Sequence, residues 1–443
     1  MTIALTQPLV LRLPLLLLLL TLLPGCGERT PSRLEAIRDG DALRVGTLMF
    51  SGSFWRDAGY QGGFEWLATR AFAGYLGTHA EFVVYGTREA LLAAVAAGAV
   101  DVGAASLTVG GNDNKWIRFS RIYRREPLLA VYRRGSHRPA NAGALLKRAV
   151  RRSFGAHLGP VSSHIPPQPA SEALAAVENG AAQVALVFRH ELLAVQLAYP
   201  QLRTAFATGG EGAMAWAFAT NRDDALYLAS LRWIDQAART GALALFHEQA
   251  YGHHRGFDYA DHLIWQRHVR TRLPRFEQAF KAAGQTVDLD WRLLAALSYQ
   301  ESHWRPQAVS PTGVRGLMML TRSTAKLVGV DNRSDPLQSI LGGAKYLRHL
   351  TDRVAPGIDA ADRPWFALAS YNVGPGHLSD ARYLTEALGG DSRRWADVRA
   401  HLPLLEDPRW HSKTRHGFAR GKEPVAYVAN IRRYYEALRL TSK

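Results

Sequence analysis

One carboxylate in an apolar helix is the group in this sequence best placed to do chemistry. Glu301 follows Leu293, Leu294, Ala295, Ala296 and Leu297, and at about 100° per residue Leu294 and Leu297 fall on the same helix face as the acid. An acid on that stripe either finds a partner or keeps its proton, because burial disfavours the charged form. A carboxyl with a raised pKa suits general acid work near neutral pH. The helix is expected over Asp290 to Trp304, since Pro306 disfavours helical geometry at Arg305 and Ser310, Pro311, Thr312 and Gly313 read as a turn. Glu301 therefore belongs near a helix end, beside a loop. Two readings stay open on this pattern: a salt-bridged helix glutamate and a catalytic acid.

The polar and flexible residues downstream carry double readings too. Ser302 and Ser310 could hydrogen-bond near the acid or only build the turn. Gly313 and Gly316 permit close backbone approach or simply turn geometry. Met318 and Met319 offer a flexible apolar wall or core packing. Tyr427 lies four residues after Glu423, on one helix face, where its hydroxyl could reach Glu301 or satisfy a backbone carbonyl. No convincing second acid is present: Asp331 and Asp335 fall in a polar turn and Glu423 reads as structural. His303 has no spaced partner, so no metal and no cofactor is expected.

The elements that must hold these groups are helical. Helices are expected near Arg322 to Val328, Gln338 to Val354, Trp365 to Tyr371, Ser379 to Leu388 and Val425 to Leu440. Before them, Phe257 to Ala283, rich in Arg, His and aromatic residues and helically spaced from Ile264, reads as a linker helix docking the two halves, with a basic, solvated face of Arg267, Arg270, Arg272 and Arg275. The first half alternates strand and helix: Leu43 to Thr47, Glu81 to Tyr85, Val100 to Ala104 and Pro127 to Arg133 as strands, Phe64 to Leu76 and Arg88 to Ala97 as helices. That alternation implies a largely parallel sheet covered on both faces.

The chain as a whole has 443 residues, enough for two or three cores. Its 54 Lys and Arg against 38 Asp and Glu give a net charge of +16, which favours polyanionic partners. No zinc-finger, RNA-binding or Walker pattern supports nucleic acid, and none is expected as a partner. The single cysteine, Cys26, excludes an intramolecular disulfide. It follows an apolar run, Leu9 to Leu23, that suits the h-region of a signal peptide. Leu23, Pro24, Gly25 and Cys26 resemble the bacterial lipobox. That resemblance implies lipidation at Cys26 and, with Gly27 next, an anchor on the periplasmic face of the outer membrane.

Two family resemblances then organise the chain. LRVGT at Leu43 to Thr47, GGFEWLATRAFAGYLG at Gly62 to Gly77, LLAAVAAGAVDVGAASLTV at Leu91 to Val109 and FSRIY at Phe119 to Tyr123 resemble the amino-acid type of extracellular solute-binding proteins (family 3). This implies two α/β lobes around a ligand cleft, a periplasmic-binding-protein-like module. Phe54, Trp55 and Thr108 are candidate cleft residues. Asp113 falls near the position where that family has a carboxylate-clamping arginine and Arg118 stands where it usually has an acid, a double reversal that argues against ordinary amino-acid capture and leaves a peptide or sugar-peptide fragment, or no ligand at all.

Glu301 with Ser302 resembles the ES motif of lytic transglycosylases. Gly316, Leu317, Met318 and Met319 resemble its GLMQ motif, Ser370, Tyr371 and Asn372 its AYN motif, and Glu423 with Tyr427 and Val428 its closing element. All are in order, and with the other module and the lipobox the whole chain resembles the membrane-bound lytic murein transglycosylase F family. The resemblance implies a C-terminal, mainly α, lysozyme-like domain acting on peptidoglycan glycan strands, with Glu301 as acid and then base. Ser302, Ser310, Gly316, Met318, Met319, Tyr371, Asn372 and Tyr427 are then candidate substrate contacts. The expected organisation is a signal peptide over 1–25, a lipidated tether over 26–40, a solute-binding-like module over 41–256 (lobe 1 about 41–139 and 221–256, lobe 2 about 140–220), a linker over 257–285 and the catalytic domain over 286–443. The N-terminal module is expected to take a muropeptide. Two competing functions remain at this level, a lysozyme-like hydrolase and a non-catalytic glycan-binding lipoprotein.

Overall fold

The computed structural model describes residues 31–50, 53–57, 60–109, 115–136, 170–195, 198–254 and 259–441. Cys26 and Asp113 lie outside them. The first half opens with helix α1 (Arg33–Arg38), strand β1 (Leu43–Leu48), hairpin strands β2 (Trp55–Asp57) and β3 (Tyr60–Gly62), helix α2 (Phe64–Leu76), strand β4 (Ala80–Tyr85) and helix α3 (Arg88–Ala97). Strands β5 (Val102–Gly103), β6 (Ile117–Phe119) and β7 (Arg124–Arg133) follow, then helix α4 (Ala170–Glu178), strand β8 (Val184–Phe188) and helix α5 (Arg189–Val195). Strands β9 (Leu202–Met214) and β10 (Ala217–Ala219) and helices α6 (Ala225–Arg239) and α7 (Ala242–Tyr251) complete it.

These strands make two main sheets, as a two-lobed α/β module requires. One has the order β4-β1-β5-β10-β6 and the other β8-β7-β9. Leu43 and Val45 of β1 pack against Phe72, Trp216 and Trp233 on one side, while α3 covers the other with Leu91 and Val95. Helix and sheet approach so closely there that a Cβ at Gly46 would stand 2.5 Å from Leu91. The expected parallel sheet is parallel only across β4, β1 and β5; β10 runs antiparallel to β5 and β6. The second sheet is antiparallel throughout. Sheet membership changes at Arg124 and returns at Ala217, not near 139 and 221 as the sequence suggests. The turn at Arg134 to Ser136 ends a strand that already belongs to the second sheet.

The second half is helical: α8 (Tyr259–Thr271), α9 (Glu277–Val287), α10 (Trp291–Ser302), α11 (Arg322–Val328), α12 (Pro336–Asp352), α13 (Arg363–Val373), α14 (Pro375–Ala387), α15 (Trp395–His401), α16 (Pro408–His411) and α17 (Lys422–Thr441). Helices α12, α13 and α14 begin earlier than the sequence suggests, because Pro336, Pro364 and Pro375 sit in their first turns, where a missing N–H costs nothing. The segment read as a solvated linker is part of this half's core. Trp265, Leu273, Phe276, Phe280 and Ala283 are buried in one cluster with Leu293, Leu294 and Tyr434. Arg267 and Arg270 of α8 and Arg275, between α8 and α9, are exposed, which is why the stretch reads as having a basic, solvated face.

Candidate active site

Helix α10 carries Glu301 one residue from its C-terminal end. Asp290 caps its N-terminus by accepting from the amide of Arg292. The helix stops at Ser302, short of Arg305, because His303 and Trp304 both adopt left-handed backbone, with φ of 52° and 54°. The Trp304 indole is buried and donates to the carbonyl of Ala295 at 2.8 Å, which fixes the reversal. A carboxylate at this end of a helix faces the negative pole of the macrodipole, so its ionised form is disfavoured.

The acid carries no salt bridge among the described residues. Its partner is Tyr427 of α17, whose phenol donates to Oε1 of Glu301. Burial pushes the Glu301 carboxyl up to about 7, against the opposing effect of the Tyr427 hydrogen bond. Tyr371 and Tyr427 are themselves driven well above the ordinary phenol range, by burial first and by the negative charge of Glu301 second. The site can therefore hold a neutral acid at neutral pH and can also receive the carboxylate, because Tyr427 stays protonated to donate to it.

The loop from Arg315 to Leu320 is tied down from three helices. Ser298 and Ser302 of α10 both donate to the carbonyl of Leu317, at 3.0 and 2.9 Å. Ser339 of α12 accepts from the amide of Met318 at 3.2 Å. Tyr371 of α13 donates to the carbonyl of Met318 at 2.8 Å. Gly316 has φ 86°, and a Cβ there would lie 1.8 Å from the carbonyl oxygen of Arg333. The guanidinium of Arg333 in turn reaches the carbonyls of Gly313 and Leu320.

The candidates thus separate. Glu301, Tyr427 and Tyr371 come close enough for the charge of the acid to act on both phenols, and of the three Tyr371 holds the carbonyl of Met318. Ser302 is buried with its hydroxyl on the loop, and Met318 is buried against Gly343. Met319 is half-buried with φ 46°, and Asn372 is exposed. Ser310 closes its turn through Thr312 and the amide of Val314. Glu423 is exposed and pairs with Arg420, and Asp335 is spent capping α12. Ser298, Ser339, Arg333 and Tyr346, whose ring lies 5.2 Å from that of Tyr371, escaped the sequence reading. Only Ser298 carried a signal, one turn before Ser302 on the same face.

In the first half, Phe54 is buried and stacks on Phe82 at 5.0 Å, while Trp55 lies under the guanidinium of Arg439 at 4.0 Å. Phe54 therefore packs within the first half, on β4, whereas Trp55 is part of the buried cluster of the helical half rather than of a face between the lobes. Thr108 bridges to Met214, and its carbonyl accepts from Arg88. Between the two sheets lies a buried acid the sequence did not flag. Glu65 accepts from the amide of Ser106, the hydroxyl of Tyr123 and the indole of Trp216.

The model of the Transglycosylase SLT domain matches residues 278–392, which span Glu301, the pinned loop and Tyr371. Membrane-bound lytic murein transglycosylase F of Ectopseudomonas mendocina is 40% identical over 435 residues, covering 95% of this chain and 89% of that one. The protein of the same name from Stutzerimonas stutzeri is 38% identical over 430 residues, covering 94% and 88%. Among solved structures, a mutant of ArgBP from T. maritima aligns with 49% of this chain and 99% of its own, at 17% identity and a TM-score of 0.42. With near-complete coverage at this identity, and the motif residues assembled around one buried acid, the chain belongs to the membrane-bound lytic murein transglycosylase F family.

Proposed function

We propose that this protein is a peptidoglycan lytic transglycosylase in which Glu301 is the sole acid and base. The observation that carries the reading is a buried carboxyl with a raised pKa, paired with a phenol and, among the described residues, with no other carboxylate close enough to shift it. A hydrolysing glycosidase places two carboxylates about 5–10 Å apart around the bond. Here one group does both transfers. Glu301 gives its proton to the glycosidic oxygen between N-acetylmuramic acid and N-acetylglucosamine, and the muramyl N-acetyl oxygen closes on the anomeric carbon. The Glu301 carboxylate, now held by Tyr427, takes the proton of the 6-hydroxyl, whose oxygen attacks the same carbon and displaces the N-acetyl oxygen, restoring the acetamide and forming the 1,6-anhydro ring. No water enters.

Membership in the family and the helical fold support a two-module arrangement: residues 41–256 as the solute-binding-like part, and a catalytic unit over 286–443 to which 257–285 contributes core. Among the described residues no helix is long and apolar enough to cross a membrane. The lipobox-like segment supports export and lipidation at Cys26, with the protein held on the periplasmic face of the outer membrane. A muropeptide bound by the N-terminal module would bias turnover in the other. Product mass from purified peptidoglycan tests the central claim: anhydro ends support it, and products heavier by one water overturn it in favour of a lysozyme-like hydrolase.

A further inference from the structure

A cavity of about 650 Å³ lies where the two halves of the molecule meet, with walls from β2, β3, α2 and β4 on one side and from α10, α13 and α17 on the other. Neither Glu301 nor Tyr427 lines it. Its position on their helices is nonetheless specific. Leu293 and Tyr435, both in its wall, stand eight residues from Glu301 and Tyr427 respectively, about 12 Å along each helix.

We propose that this cavity is a second saccharide site, which takes an amino-sugar unit bearing a carboxylate. The proposal rests on the peptidoglycan reading above, since N-acetylmuramic acid with its lactyl carboxylate is such a unit. Three indoles line the space, those of Trp55, Trp66 and Trp365. Pyranose rings lay their apolar C–H faces on indoles while their hydroxyls stay at a polar rim. Each indole has a guanidinium over its ring: Arg439 on Trp55 at 4.0 Å, Arg70 on Trp66 at 4.2 Å and Arg432 on Trp365 at 4.5 Å.

The charge of the occupant follows from the rim. Arg56 lines the cavity, is exposed, and has no ion pair with any described residue. Arg70 also lines it and crosses to Asp359 of the helical half at 2.8 Å. The one acid in the wall, Glu81, lies 3.6 Å from His79. Arg56 is therefore the donor left for an incoming carboxylate, which a guanidinium can take with two hydrogen bonds. The volume falls in the range of small-ligand sites and suits a disaccharide. An occupant would touch both halves at once.

The test uses the full chain carrying Glu301→Gln, labelled with 5-fluorotryptophan and followed by fluorine NMR. The signals of Trp55, Trp66 and Trp365 are assigned by replacing each with Phe. Titration with the disaccharide N-acetylglucosaminyl-N-acetylmuramic acid should move all three saturably. Arg56→Ala should raise the half-saturating concentration by about tenfold or more, and Ala361→Trp, at the lip of the cavity, should abolish the shifts. Unmoved signals, an Arg56→Ala chain that titrates like its parent, or equal shifts from neutral N,N′-diacetylchitobiose would each overturn the assignment. Product mass from the unlabelled wild-type chain scores the peptidoglycan reading separately, so the two failures are distinct.

Discussion

Tyr427 donates its phenolic hydrogen to Glu301 across the contact between α17 and α10, and the same helix pair is closed at its other end by a second bond of the same kind, from Tyr435 to Asp290 at 2.8 Å. The helices run antiparallel, so two phenol–carboxylate bonds fix their relative height. They differ in what else holds the acid. Asp290 also binds Arg292 and caps a helix N-terminus. Among the described residues Glu301 has Tyr427 alone, at a C-terminus, and burial pushes its carboxyl up to about 7.

Replacing Glu301 with Gln removes the transferable proton and keeps the shape. Turnover of peptidoglycan should fall by about 10²- to 10⁴-fold, the range general acid–base catalysis contributes, measured as release of anhydro-sugar ends. A retained rate would move the chemistry to another residue.

The pH profile of kcat/KM follows from the starting proton. With the Glu301 carboxyl at about 7, activity should hold below that value and decline above it with a single ionisation. Tyr427→Phe deletes the bond that favours the carboxylate, so the falling limb should move up by roughly one unit. A limb that stays in place would show that Tyr427 does not set the proton affinity of Glu301.

Stability responds to the same group with a definite sign. Glu301 is harder to ionise in the folded chain, at about 7, than at its ordinary 4.5. Its cost to stability is therefore absent below 4.5, grows between 4.5 and 7, and is complete above. Glu301→Gln should stabilise the protein by about 3 kcal/mol at pH 8 and by little at pH 4.5, read from urea unfolding at both. Equal effects at the two values would contradict a buried, proton-holding acid.

Gly316→Ala sets a Cβ 1.8 Å from the carbonyl oxygen of Arg333 at a left-handed φ. The cost should reach about 3 kcal/mol or more, seen as a lowered midpoint of thermal unfolding. Because the loop bearing Met318 would shift away from Tyr371 and Ser339, turnover should drop in the folded fraction as well. An alanine variant with wild-type stability and rate would mean that the loop is not held as described.

Periodicity in the sequence sufficed for the apolar stripe that carries Glu301, for α2, α3 and α11 to the residue, and for the alternation of strand and helix in the first half. These are local properties, set by side-chain spacing along one element. The order of the motifs from Glu301 to Tyr427 was also legible, because order is a property of the chain. What the chain could not express is who faces whom. That Tyr427 turns onto the acid depends on how α10 and α17 pack, a contact more than a hundred residues apart in sequence, and that Ser302 turns under the loop depends on how Leu317 folds back onto α10. The fate of Trp265 and Phe280 was decided in the same way. They lie in a stretch that reads as a linker helix, and only the packed helices show that its apolar residues belong to the core of the second half.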